Sequence, residues 1–180
     1  MRKFIWSLFE FVETVVIAVV AVLLIRAYVA QPFLVSGSSM EPNFNNGNYL
    51  LIDELTYRFR PPERGEVIVF RYPNNPQTFY IKRVIGLPDE TVVIDNGKIS
   101  VAEANGQKIN LAETYLSREY TIGDYEVELA PDQYFVMGDN RNFSYDSRSW
   151  GPLPSSMIIG MVRLRLWPVN EVMAFSAPQY

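Results

Sequence analysis

The hydrophobic pattern changes character once along the chain. Residues 4–30 are mostly apolar, and the centre of that stretch is apolar on every side of a helix rather than along one stripe. From Asn48 onward the apolar residues gather instead into short β-branched and aromatic runs, at 49–52, 66–70, 79–85, 92–94, 98–101, 125–129, 134–137 and 158–166. Turn residues separate the runs, so the pattern predicts a mainly β fold: an N-terminal transmembrane helix followed by an antiparallel β-sheet domain. Asp95-Asn96-Gly97 and Ala104-Asn105-Gly106 carry the Asn-Gly pair of type I′ hairpin turns, so residues 89–132 read as a small hairpin-rich insertion. Pro61-Pro62 and Tyr72-Pro73-Asn74-Asn75-Pro76 read as loops between the earlier strands. The one clear boundary lies near Gln31-Pro32, dividing an anchor at 1–30 from a β-rich domain at 31–180.

The charge-free part of the apolar stretch, residues 14–25, is twelve residues long. As a helix that part spans only about 18 Å, whereas residues 4–30 reach about 40 Å and exceed the roughly 30 Å of bilayer hydrocarbon. Glu10, Glu13 and Arg26 sit toward its ends, where side chains extend to the head groups. Removal as a signal peptide requires small residues at the first and third positions before the cut, and the best candidate, after Ala30, puts Tyr28 at the third. The segment is therefore read as an uncleaved, single-pass anchor rather than a helix lying on the membrane surface. Arg2 and Lys3 on one flank against Arg26 on the other predict a cytoplasmic N-terminus and an extracytoplasmic domain.

Composition removes whole classes of chemistry. The chain has no Cys and no His, which excludes zinc, iron–sulfur and thiol sites, and it is read as needing no metal and no cofactor. Sixteen basic against twenty acidic residues give a net charge of −4, so no basic surplus exists for nucleic acid. The absence of histidine also rules out a Ser-His-Asp triad. A serine nucleophile in this chain would need a neutral lysine amine as its base.

One serine and one lysine stand in contexts that fit. Ser39 lies in Ser36-Gly37-Ser38-Ser39-Met40-Glu41-Pro42, which by itself is ordinary turn material. Lys82 interrupts the strand run at 79–85, where alternation puts Tyr80, Lys82 and Val84 on one face and Ile81, Arg83 and Ile85 on the other. Among such neighbours burial lowers the amine's pKa, and moving it from about 10.4 to about 8 takes roughly 3 kcal/mol. The aiming partner of a neutral amine should itself be neutral, because a close carboxylate pushes the pKa back up. A third block, from Gly138-Asp139-Asn140-Arg141 through Ser144-Tyr145-Asp146-Ser147-Arg148 to Pro152, mixes charges with hydroxyls. Asp139, Arg141, Asp146 and Arg148 are expected to pair and stiffen this loop, with Ser144 as the hydroxyl for Lys82.

These blocks together resemble the bacterial type I signal peptidases, membrane-anchored enzymes with a serine–lysine dyad, over essentially the whole chain. The likeness rests on Gln31-Pro32-Phe33, Gly37-Ser38-Ser39-Met40-Glu41-Pro42, Gly65-Glu66-Val67-Ile68-Val69-Phe70, Tyr80-Ile81-Lys82-Arg83-Val84-Ile85-Gly86-Leu87-Pro88 and the 138–152 block. It implies Ser39 as nucleophile and Lys82 as general base, with Ser144, Asp146, Arg148, Asp139 and Arg141 supporting them. It further implies that Phe33, Val35, Tyr80 and Ile81 line shallow pockets for the small residues before a cleavage site, and that the partners are secretory precursor proteins and membrane lipid. Where some members carry a serine whose hydroxyl helps bind the oxyanion, this chain has Gly37. The Ser39 amide then carries more of that role or Ser38 contributes, and the sequence leaves both open. Trp167 is compatible with the membrane interface or with the core. Two rival classes are a tethered, non-catalytic binding domain, which needs neither Ser39 nor Lys82, and a self-cleaving repressor, which needs a basic DNA-binding helix in place of the apolar one.

Overall fold

The computed structural model describes residues 2–28, 30–103, 106–117 and 120–178. The turn predicted at Ala104-Asn105-Gly106 lies outside the described residues at its first two positions. The side chains of Arg2, Lys3 and Arg26, whose asymmetry predicts the orientation, lie outside them as well.

Helix α1 (Arg2–Tyr28) is 27 residues long, about 40 Å at 1.5 Å per residue. Its stretch Trp6–Leu23 is long and apolar enough to cross a membrane and is not buried against any of the described residues. The strands that follow are β1 (Ala30–Leu34), β2 (Tyr49–Asp53), β3 (Val67–Tyr72), β4 (Asn75–Gly86), β5 (Thr91–Asp95), β6 (Lys98–Ala102), β7 (Lys108–Asn110), β8 (Tyr125–Glu128) and β9 (Gln133–Met137). A single-turn helix α2 (Ser147–Trp150) precedes β10 (Leu153–Pro154), β11 (Ile158–Trp167) and β12 (Met173–Ala174). All strand pairs are antiparallel. The larger sheet runs β1-β2-β11-β3-β4-β9-β10, with β12 added beside β11, and a smaller one runs β7-β6-β5-β8.

Each predicted run contains a strand, and the fold is mainly β as expected. The proline-rich stretch around Pro73 is a correction: Tyr72 pairs with Asn75, so β3 and β4 form a tight hairpin there rather than a longer loop. Asn96 and Gly97 have φ of 48° and 79°, the two positive values that a type I′ turn needs.

Strand β3 explains the layering. Val67, Ile68, Val69 and Phe70 are all buried, so both of its faces are covered. Val67 and Val69 pack with Met40, Phe44, Leu50 and Ile52, whereas Ile68 and Phe70 pack with Val84, Tyr134, Val136 and Leu153. A third cluster, including Ile85, Val92, Ile94, Phe135 and Met137, joins the two sheets. Each such side chain contributes about 1.5–3 kcal/mol when fully buried. Gly86 marks the junction, since a Cβ there would lie 2.4 Å from Val92 Cγ2. Trp167 is about half exposed and sits near exposed Val169, Val172 and Met173, so it is a surface residue rather than a core one.

Candidate active site

Ser39 lies on the loop between β1 and β2. The base of that loop is closed by backbone bonds from Val35 N–H to the Asn48 carbonyl and from Gly47 N–H to the Val35 carbonyl, both 2.9 Å. Gly37 turns the chain at φ +98°, a value that other residues seldom adopt, and its N–H donates to Asn46 Oδ1 at 2.9 Å. Met40 and Phe44 are fully buried directly after the serine. They fasten the loop to the core while Ser39 stays at the surface of a cleft.

Lys82 reaches the same point from the middle of β4, opposite Ile68 in the register. The residue is 4% exposed. Its Nζ lies 2.8 Å from Ser39 Oγ and donates to the Ile81 carbonyl at 2.9 Å. Burial drives the amine's pKa down to about 8, against the opposing pull of Asp146 and Asp139. In the neutral state one N–H serves Ile81 while the lone pair accepts the Ser39 O–H. The pair is thus placed for proton transfer from hydroxyl to amine.

The 138–152 block closes over this pair. Asn140 donates its N–H to the Ser39 carbonyl at 3.0 Å and its side-chain amide to the Ser38 carbonyl at 3.1 Å, zipping the two loops together. Gly138 allows the approach: a Cβ there would meet Ser144 Oγ at 2.2 Å and the Ser39 carbonyl oxygen at 2.4 Å. Asp146 is fully buried, caps α2 through Arg148 N–H, and accepts from Gly138 N–H at 3.0 Å and from the Arg148 guanidinium at 2.8 and 2.9 Å. Burial alone would raise its carboxyl, but the Arg148 guanidinium and the Gly138 N–H outweigh that and hold it below the usual value.

Two expectations about this block change. The one ion pair among the four charged residues is Asp146 with Arg148, although the Arg148 guanidinium also donates to the Arg141 carbonyl at 2.7 Å and Arg141 N–H to the Asp139 carbonyl at 3.1 Å. Asp139 instead takes Arg83, with bonds of 2.8 and 2.6 Å, because β4 delivers Arg83 to its side. Arg141 takes Glu113, from the loop that joins β7 to β8. Ser144 Oγ is buried without a well-formed hydrogen bond, and its proximity helps to keep the Asp146 pKa low. The neutral partner that Lys82 has beside Ser39 is the Ile81 carbonyl, supplied by the strand itself.

Phe33, Val35, Tyr80 and Ile81, the four residues expected to contact substrate, all line one cleft of about 340 Å³ that also contains Ser39 and Lys82. Its wall is completed by Leu50 and Val69, with the aromatic rings of Phe79, Phe143 and Tyr145 at its lip. The amide N–H groups of Ser38 and Ser39 have no acceptor among the described residues. Sequence reasoning missed Asn140 as the tie between the loops, although it lay within the quoted block. It also missed Asn43, which donates to Asp139 Oδ2 and to the Tyr115 carbonyl, both at 2.8 Å. Nothing local to Asn43 signals that role.

A family model described as signal peptidase, peptidase S26, matches residues 8–167. Probable signal peptidase I-2 of Synechocystis sp. is 38% identical over 168 residues, covering 91% of this chain and 75% of that protein. Signal peptidase I of Leptolyngbya laminosa is 38% identical over 180 residues, covering 95% of this chain and 85% of its own. Signal peptidase I of Bacillus licheniformis is 34% identical over 177 residues, covering 92% of each. The matched region runs from within α1 to the end of β11 and takes in every residue of the cleft, so the chain belongs to the signal peptidase family, peptidase S26.

Proposed function

We propose that this chain is a membrane-anchored serine endopeptidase that removes N-terminal signal peptides from secretory precursors through a Ser39–Lys82 dyad and an acyl-enzyme. Membership of the family supports the coarser part, signal-peptide cleavage by a serine peptidase. The dyad rests on one observation: a lysine amine 4% exposed lies 2.8 Å from a serine hydroxyl in a chain without histidine.

In the proposed reaction Ser39 Oγ attacks the scissile carbonyl as its proton passes to the neutral Lys82 amine. The resulting ammonium then protonates the leaving amine, which departs as the new N-terminus and leaves an ester on Ser39. Lys82 next takes a proton from water, the hydroxide adds to the ester, and the carboxyl product leaves as Ser39 regains its hydrogen. The amide N–H groups of Ser39 and Ser38 supply the oxyanion donors. Apolar walls from Phe33, Val35 and Ile81 favour small side chains before the cut. Helix α1 is read as the anchor with its N-terminus in the cytoplasm, and the exposed Trp167, Val169, Val172 and Met173 as contacts to lipid.

The decisive test is cleavage of a precursor peptide by the full chain in detergent. Ser39→Ala and Lys82→Met are each expected to lower kcat at least about 10³-fold. Substantial turnover by the lysine variant would remove the dyad.

A further inference from the structure

Lys82 and Ser39 are set by the larger sheet, yet the loop that closes over them is held from the smaller one. The loop between β7 and β8 returns to the catalytic block and grips it at several places. Arg141 is 6% exposed, and its guanidinium donates to Glu113 Oε2 at 2.7 Å, to Glu113 Oε1, to Thr121 Oγ1 at 2.6 Å and to the Gly138 carbonyl at 3.1 Å. Tyr115 O–H donates to Glu113 Oε1 at 2.6 Å, and the Tyr115 ring lies 4.0 Å from the Arg83 guanidinium carbon. Asn43, from the nucleophile's loop, ties the Tyr115 carbonyl to Asp139. Thr121 N–H donates to the Gly97 carbonyl at 2.9 Å, which fixes the returning arm to the β5–β6 hairpin.

We propose that Glu113 and Tyr115 are positioning residues for the peptidase reaction, holding from the smaller sheet the catalytic loop that sets the distance between Ser39 and Lys82. The proposal rests on the dyad reading given above. Glu113 supplies the buried carboxylate that neutralises Arg141, and Arg141 in turn holds the carbonyl of Gly138, the residue pressed against the Ser39 carbonyl. Tyr115 backs Arg83, the neighbour of Lys82 in β4, and Arg83 fixes Asp139. An unpaired guanidinium at Arg141 would draw water to that point and loosen the loop. The apolar cleft walls at Phe33, Val35 and Leu50 come from β1, β2 and the segment between them, whereas Glu113 and Tyr115 come from the loop between β7 and β8. Because neither Glu113 nor Tyr115 lines the cleft, the clamp is expected to act on turnover rather than on substrate binding.

The test compares the full chain in detergent with Glu113→Gln and Tyr115→Leu on a precursor peptide, with Glu126→Gln on the exposed face of β8 as control. Each of the two clamp variants is expected to lower kcat at least about tenfold with KM within about threefold of the parent, while the control keeps both. The acidic limb of the kcat/KM profile, set near pH 8 by deprotonation of Lys82, is expected to move to higher pH as water reaches the amine. Unchanged kcat, a KM that rises as much as kcat falls, or an unmoved limb in a folded variant overturns the proposal. Where Glu113→Gln does not fold, Tyr115→Leu decides by the same three readings, since Tyr115 is only half-buried. Ser39→Ala in the same assay separates the two readings: activity there removes the dyad itself, whereas an inactive Ser39→Ala beside a fully active Glu113→Gln removes only the clamp.

Discussion

Lys82 stores a stability cost that its proposed role as a base requires. Folded, its amine titrates near 8, and unfolded it titrates near 10.5. Between those pH values the unfolded chain binds the extra proton, so stability rises with pH across the window, and below about 8 the full penalty of roughly 3 kcal/mol is present. Lys82→Met keeps an unbranched side chain of similar reach and removes the charge. At pH 7 that variant is expected to be inactive yet more stable than the parent by about 1–3 kcal/mol, after allowance for two lost hydrogen bonds. Urea unfolding in detergent at pH 7 and at pH 10 would measure it, with the difference shrinking at the higher pH. A variant less stable than the parent at pH 7 would contradict a buried, desolvated amine. The activity of the parent should rise with pH through about 8, as the amine loses its proton.

The helix α2 and the loop before it depend on a single carboxylate. Asp146 serves Gly138 N–H, Arg148 N–H and the Arg148 guanidinium at once. Asp146→Ala leaves a largely buried guanidinium without its carboxylate and is expected to cost about 3–5 kcal/mol. Because its native pKa lies below 3.8, the stability it supplies is complete above that value and is lost as pH falls through the native one. Melting temperatures recorded between pH 2.5 and 6 should therefore fall more steeply at the acid end for the parent than for Asp146→Ala. Pairing over two residues is the kind of contact a sequence displays, and Asp146 with Arg148 was readable for that reason. Asp139 with Arg83 spans 56 residues and Arg141 with Glu113 spans 28, so topology alone brings them together. The strands divide similarly. The covered part of β3, residues 67–70, is an unbroken apolar run, but β1 is an edge strand interrupted by Pro32, β7 is the mostly polar Lys108-Ile109-Asn110, and β10 and β12 have two residues each. None of those four carries the period-two signal of a half-buried strand.

On the scale of the molecule, an apolar helix whose stretch Trp6–Leu23 is unburied is joined to a domain whose core clusters do not draw on it. Such a helix belongs in lipid. The full chain is expected to stay with membranes through an alkaline carbonate wash, and recovery in the supernatant would argue against the anchor. The motifs that carry Ser39 and Lys82, the proposed dyad, could be picked out because they sit in short, ordered blocks of sequence. The clamp from the smaller sheet was not, since it joins residues that meet only after both sheets have formed. The join between helix and sheet has a further consequence. Phe33, on the cleft wall, is five residues beyond Tyr28, the last residue of α1, a span of at most about 18 Å when fully extended. With α1 as the proposed anchor, so short a span holds the cleft close to the bilayer surface, and a precursor is expected to be cut only near the point where it leaves the membrane.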